Sequence, residues 1–532
     1  MKNLKNYLLI FASMVFFAGC EEFLEEEPKS QLSPENYYRT ADQAEAAVVG
    51  AYNALQRNGV YGNTQYFITT DLVRTANWNT QGGIGTYTFS ADNVQVILGL
   101  WRDHFQGINE VNAAITHVPN VNMDEDRRNT LVAESRFLRA MMYFNLVRYF
   151  GDVPYFDTET NSLENLEVPR DPASMVYERI IGDLEFGVEH LDTNSEITQP
   201  GRATVGAAKT ALAKVYLTRG SMAERDGGDG SADFQLAAKY AKEVIDSGEY
   251  QLEPYFPDVF IVENKGHNEM IFDIQFKGGG INEGSWIGAH MGLQGPPDKG
   301  GSWGNIHATD YFNTIYEPTD LVRQEWTTNQ TRVNGNGTLN LNRPWWEPWK
   351  IGKYRRWPVR NENYQFRDAD HNWPVFRYAE VLLIYAEALN EVNNGPTAEV
   401  FDVLNQLRAR ARNVNGDGTR EYLHNDVLPR NLTTDSSILP DISSVDYPDY
   451  TSMKNYIMYE RARELGGEAK RWFDLVRWGN LVERIKYLTT TSPPESRGWN
   501  ITADNVAEHH KLLPIPNTEL QANPNLTQNP GY

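Results

Sequence analysis

Two stretches of this chain repeat one layout: an Ala/Leu/Tyr-rich run with apolar residues at helical spacing, a short Gly-containing turn, and a second such run. The first pair is ATVGAAKTALAKVYLTRG (Ala203–Gly220), the turn DGGDG and FQLAAKYAKEVIDSG (Phe234–Gly248). The second is FRYAEVLLIYAEALNEV (Phe376–Val392), the turn NNGP and TAEVFDVLNQLRARA (Thr397–Ala411). A lone helical hairpin leaves one apolar face bare, so such units are stable only when stacked. The layout therefore demands a layered helical scaffold. Further segments with the same periodicity supply its other layers: Thr40–Gln56, Leu100–Val118, Arg127–Phe150, Ser174–Leu191 and, as one long helix, Lys454–Ile485.

The hairpins resemble degenerate tetratricopeptide repeats, with an irregular period. Between the two pairs, about residues 254–374, the chain changes character: Gly, Pro, Asn and Trp dominate, as in FKGGGINEGSW, GLQGPPDKGGSWGN and RPWWEPWKIGKYRRWP, and no helical period persists. Residues 59–92 form a second irregular block and 413–449 a third. Loops this long inside a folded protein are usually functional. The expected fold is mainly α, with helical hairpins packed against an irregular, loop-rich half with short strands, which presents a binding surface from a rigid scaffold.

The N-terminus has the three parts of an export signal: Lys2 and Lys5, the apolar run Tyr7–Ala18, and small residues before Cys20, the only cysteine of the 532 residues. The apolar run is too short to span a bilayer. Ala18-Gly19-Cys20 resembles the bacterial lipobox, in which the cysteine is acylated, although Phe17 stands where the pattern usually has an aliphatic residue. Residues 1–19 are therefore read as a lipoprotein signal, Cys20 as the lipid anchor, 20–33 as an acidic tether and 34–532 as one folded unit. With 49 basic and 71 acidic residues the net charge is −22, which repels nucleic acid and acidic lipid surfaces. A single cysteine excludes a disulfide framework and a thiolate metal site.

ESRFLRAMMYFNLVRYFGDVP (Glu134–Pro154), FRYAEVLLIYAEALN (Phe376–Asn390), ERARELGGEAKRWFDLVRWG (Glu460–Gly479) and the terminal LLPIPNTELQANPNLTQNPGY (Leu512–Tyr532) resemble the hallmark blocks of the SusD/RagB family, and CEEFLEEEPKSQLSPENYYRT is similar to its mature start. The resemblance implies a SusD-like fold with four tetratricopeptide-like hairpins, on a lipoprotein of the outer-membrane cell surface. It also implies a role in polysaccharide utilisation and nutrient uptake: oligosaccharides are bound above a TonB-dependent, SusC-like transporter. The glutamates Glu21, Glu22, Glu25, Glu26 and Glu27 are similar to signals that send such lipoproteins outward; a solvated tether would need only the same charges.

Sugar rings carry an apolar C–H face and a hydroxyl rim, so their sites combine flat aromatic platforms with amide, carboxylate or guanidinium groups. Eight of the thirteen tryptophans fall within 88 residues, Trp286 to Trp373. Trp303 and Trp286, in Gly-rich loops, and Trp78, alone among polar neighbours, are the expected platforms. Trp345 and Trp346 lie in a Pro-bounded extended segment, where alternation lets only one of them face a shared ligand. Asp71, Arg74 and Asn77 beside Trp78, and Gln294, Asp298 and Asn305 around Trp303, are the expected rim groups. Trp101 and Trp472, at helical spacing, read as core, and Lys353, Tyr354 and Arg355 as structural. His290 and His307 stand isolated in loops.

No H-E-x-x-H, G-x-S-x-G, P-loop or EF-hand pattern occurs. The expected protein is therefore not an enzyme and needs no cofactor; no metal site is expected, although loop carboxylates could hold a calcium-type ion. It captures oligosaccharide and passes it to the transporter; the Trp-rich and only locally basic loops favour a neutral glucan, such as a β-1,3-glucan, over a sulfated or uronic glycan. Two alternatives are a helical glycoside hydrolase, whose paired carboxylates counting cannot reveal, and a helical-repeat scaffold that binds only protein.

Overall fold

The computed structural model describes residues 37–63, 68–76, 83–92, 95–162, 166–329, 331–340, 347–358, 365–415, 431–491 and 503–532. Six long helices precede the irregular region: α1 (Ala41–Tyr52), α2 (Gln95–His117), α3 (Glu125–Phe150), α4 (Ala173–His190), α5 (Val205–Arg225) and α6 (Ser231–Asp246). After it come α7 (Tyr378–Val392), α8 (Ala398–Ala411) and α9 (Tyr450–Leu465), with shorter helices beyond. From α2 to α8 each helix packs on the next in sequence, α7 included, so the chain leaves the stack after α6 and rejoins it at the same layer. This is the stacking that the bare hairpin faces require.

Local chemistry sets the helix ends. Thr40 and Gln43 form a reciprocal capping box at α1, and Asp449 and Ser452 another at α9. The Asp124 and Thr204 side chains accept from Arg127 N and Ala207 N to open α3 and α5. α3 is buried along most of its length, and Phe137, Met142, Phe144 and Phe150 fill the space between its neighbours. Trp101 and Trp472 are likewise buried.

Two helical readings need correction. The segment Thr40–Gln56 is helical only to Tyr52, after which Asn53–Gln56 tightens into a 3₁₀ turn. The long helix expected over 454–485 is three: α9, α10 (Arg471–Arg477) and α11 (Leu481–Thr491). Gly467 at φ +85° and Gly479 at φ +77° turn the chain at the two breaks, a conformation that opposes helix continuation.

The irregular half holds short strands. β1 (Val73–Thr75), β3 (Ile306–Ala308), β4 (Thr328–Asn329) and β5 (Trp349–Ile351) form an antiparallel sheet in the order β1-β3-β5-β4, with Arg74 opposite His307 and His307 opposite Lys350. β2 (Met270–Ile274) pairs with β6 (Trp373–Arg377), which runs directly into α7 and ties the two halves together.

At that seam lies a charge network closed to solvent. Arg377 binds Glu269, Glu464 and Glu468; Arg410 binds Glu269 and Glu464; Arg323 binds Asp320, Glu460 and Glu464; Lys353 binds Glu468. Buried charges persist only when paired and hydrogen-bonded in this way. Lys353 and Tyr354 are wholly buried and Arg355 nearly so, in keeping with a structural role.

Candidate functional site

The Gly-rich stretch after β2 folds back on itself through a bridge between Lys277 and Glu283, and a second bridge joins Ser285 to Ala369. Asp370 Oδ1 accepts from Gly278 N at 2.9 Å, and Asp368 Oδ2 from Gly279 N and Gly280 N at 3.0 and 2.7 Å. These bonds fix the loop of 277–286 against that of 365–370. Trp286 then opens a single helical turn, Ile287–His290, and Trp303 N donates to Ala289 O at 2.9 Å. Residues far apart in sequence thus converge.

The convergence builds an aromatic shelf. The rings of Trp286 and Trp303 meet edge to face, with centroids 6.3 Å apart and planes at 67°. His290 stacks on Trp286 at 5.9 Å and 14°, and meets Trp303 at 5.5 Å and 63°. Phe366 lies 5.1 Å from Trp303, and the Arg367 guanidinium carbon lies 4.3 Å from the Trp286 ring centre and 5.3 Å from that of Trp303. Trp286, Trp303 and Phe366 are half-buried, Arg367 is exposed and His290 is buried. Indole faces left partly open over a buried floor are what stacking on a sugar face requires.

Beneath the shelf, the Asn305 amide donates to His290 Nδ1 at 3.1 Å. An amide nitrogen can only donate, so Nδ1 is the acceptor and the imidazole is neutral. Burial, reinforced by the Arg367 charge, pushes the His290 pKa down to about 3. The floor therefore carries no charge at neutral pH.

The expected site residues divide sharply. Trp286 and Trp303 come together on the shelf. Asn305 does not sit on a rim: it is buried and spent on His290. Asp71 is a framework group with no exposed surface, gripped by Arg471 Nε and Nη2 at 2.8 and 2.7 Å and by Arg484 at 3.3 Å. Burial would raise its pKa, but the two arginines outweigh it and hold the carboxyl below its ordinary value. Arg74 is buried in β1, where burial pushes its pKa down to about 10. Gln294 is half-buried, and its backbone bridges Ser302 and Arg332. Asp298 is exposed and pairs with Lys299 at 3.1 Å, without contact to the shelf rings. Trp78, Asn77, Trp345, Trp346 and the anchor Cys20 lie outside the described residues.

Of the other clustered tryptophans, Trp326 and Trp373 are core, while Trp349 and Trp357 donate to Asp310 and to the Gly337 carbonyl. His290, Phe366 and Arg367 were not expected. Their signal was faint, because Phe366 and Arg367 lie far along the chain from Trp303 and join it through the Ser285–Ala369 bridge and the Asp368 and Asp370 bonds to the Gly-rich loop. Among the described residues no group of three His, Cys, Asp or Glu is placed to hold a metal ion, and no helix is long and apolar enough to cross a membrane.

Two family profiles match the chain: one described as "SusD family" over residues 311–532, the other as "Starch-binding associating with outer membrane" over 22–217. SusD-like protein P2 of Formosa agariphila is 30% identical over 559 aligned residues, spanning 99% of this chain and 100% of the relative. A solved SusD homolog of Bacteroides thetaiotaomicron superposes with a TM-score of 0.80 at 23% identity, covering 95% of this chain and 100% of that one. A solved laminarin-binding SusD-like protein gives 0.71 at 25% identity, covering 93% and 100%. The helical stack, the irregular half it carries and these whole-length matches agree: the chain belongs to the SusD/RagB family.

Proposed function

We propose that the protein is a non-catalytic, cell-surface glycan-binding lipoprotein of the outer membrane, anchored through Cys20, that captures oligosaccharide and hands it to a SusC-like TonB-dependent transporter. The shelf of Trp286, Trp303 and Phe366 carries this reading, because it gathers partly exposed aromatic rings over a buried floor. The description "Starch-binding associating with outer membrane" and the laminarin-binding neighbour support a glycan ligand. A hydrolase needs two carboxylates poised across a bond. The carboxylates adjoining the shelf, Asp368 and Asp370, instead hold backbone N–H groups of Gly278, Gly279 and Gly280.

The neutral β-1,3-glucan expected from loop composition remains one candidate and has the laminarin-binding neighbour in its favour. Affinity electrophoresis and calorimetry against plant, algal and bacterial polysaccharides test the reading. Trp303→Ala is expected to weaken the retained glycan by about 1–3 kcal/mol, as for removal of a central hot-spot ring. Undiminished affinity in both Trp303→Ala and Trp286→Ala would move the site elsewhere, and shortened products would promote the hydrolase.

A further inference from the structure

We infer that the shelf selects sugars bearing an acid group, a carboxylate or a sulfate ester, and that Arg367 is the residue that reads it; this rests on the glycan-binding reading above. Arg367 is exposed and lies over both indoles, 4.3 Å from the Trp286 ring centre and 5.3 Å from that of Trp303. Among the described residues no carboxylate pairs with it. The adjacent acids turn to the backbone and form no ion pair with it: Asp368 Oδ2 accepts from Gly279 N and Gly280 N, and Asp370 Oδ1 from Gly278 N. The floor adds no charge of its own, since the His290 ring accepts from Asn305 and is neutral. The shelf thus presents one unpaired guanidinium framed by aromatic faces.

The geometry distinguishes two kinds of sugar. A neutral ring stacking on these indoles competes with Arg367 for the same faces, and its hydroxyls return only ordinary hydrogen bonds. An acidic ring can lie beside the guanidinium and accept a two-pronged, charge-assisted pair from it, while the cation–π contacts persist. The chain's charge of −22 opposes anions at long range. Screening confines that repulsion to about 8 Å at physiological ionic strength, so the charge on the shelf itself decides.

The test compares the full-length protein with Arg367→Gln and Trp303→Ala. The acidic arm of the panel is alginate, polygalacturonate, carrageenan and fucoidan; the neutral arm is laminarin, xyloglucan, starch and xylan. The expected result is retention of an acidic member, with affinity falling about ten- to hundredfold in Arg367→Gln, the size of a lost charge-assisted pair. Loss with polygalacturonate or alginate alone identifies a carboxylate, and loss with carrageenan or fucoidan alone a sulfate. Retention of neutral members only, or acidic binding that Arg367→Gln leaves unchanged, overturns the inference while sparing the glycan-binding reading. Retention of no member overturns both.

Discussion

At the scale of single residues, exposure separates groups that offer themselves to a ligand from groups that hold the fold. Trp303 and Asp71 were both expected to meet sugar, yet only Trp303 has surface to give. Asp71 supplies the charge that lets Arg471 be buried beside it, and it also pairs with the half-buried Arg484. Asp71→Asn is therefore expected to cost about 3 kcal/mol of stability, as for breaking a buried pair, with glycan affinity of the folded protein unchanged. Urea denaturation together with calorimetry checks this, and a loss of affinity without a loss of stability would return Asp71 to the binding site. The sequence could not make the distinction, because an Asp among loop polar residues looks the same whether an arginine from 400 positions away reaches it or not. The tryptophans were legible as a class, since a large ring in a Gly-rich loop has few local neighbours to cover it. Their partners were not, because Phe366 and Arg367 join them only in three dimensions.

At the scale of elements, the helices were legible because their signal is local: apolar spacing and caps such as Thr40 with Gln43 lie within a few residues of one another. Short strands were expected in the irregular half, but not their places or pairings. β1 and β3 have three residues each, and their pairing joins 73–75 to 306–308, too short a pattern and too long a separation to read. The break between α9 and α10 was visible as Gly466-Gly467 but was overridden by the strong periodicity on both sides. That break matters, because it turns the chain just after Glu464 so that Glu464 and Glu468 both reach Arg377. Gly467 sits at φ +85°, where a side chain is strained. Gly467→Ala is expected to lower stability by about 1–2 kcal/mol. Gly466→Ala should cost more, because its new Cβ would fall 2.1 Å from the Phe312 ring and 2.5 Å from the Ala462 carbonyl. Thermal denaturation ranks the two; equal stability in both variants and the parent would show that this turn is not constrained.

At the scale of the whole molecule, three buried histidines make stability fall as the solution turns acid, while the buried carboxyls Glu134, Asp273 and Asp320, whose pKa burial raises, act in the opposite sense. Burial pushes His104 down to about 4, and burial with nearby cations pushes His290 and His371 down to about 3. Each is neutral in the folded protein, while the unfolded chain takes up a proton near pH 6.5. Between those values the unfolded state binds more protons, so stability falls as pH drops below about 6.5. Glu387 acts in the same sense at lower pH. Burial opposes its charge, but Arg477, which donates to both its oxygens at 2.5 and 2.8 Å, holds its pKa down to about 2. That stabilisation is present above the unfolded value near 4.5 and fades as pH falls toward 2. Ligand binding should follow a different course. His290 stays neutral from pH 5 to 8, so the floor of the shelf keeps one electrostatic state while the scaffold beneath it weakens. The expected outcome is a urea midpoint that declines from pH 7 to 4.5. Affinity of the folded protein for its glycan should stay level from pH 8 down to 5. A flat midpoint would mean that the three histidines meet water in solution, and affinity that changed near pH 6.5 would mean that His290 titrates on the shelf itself.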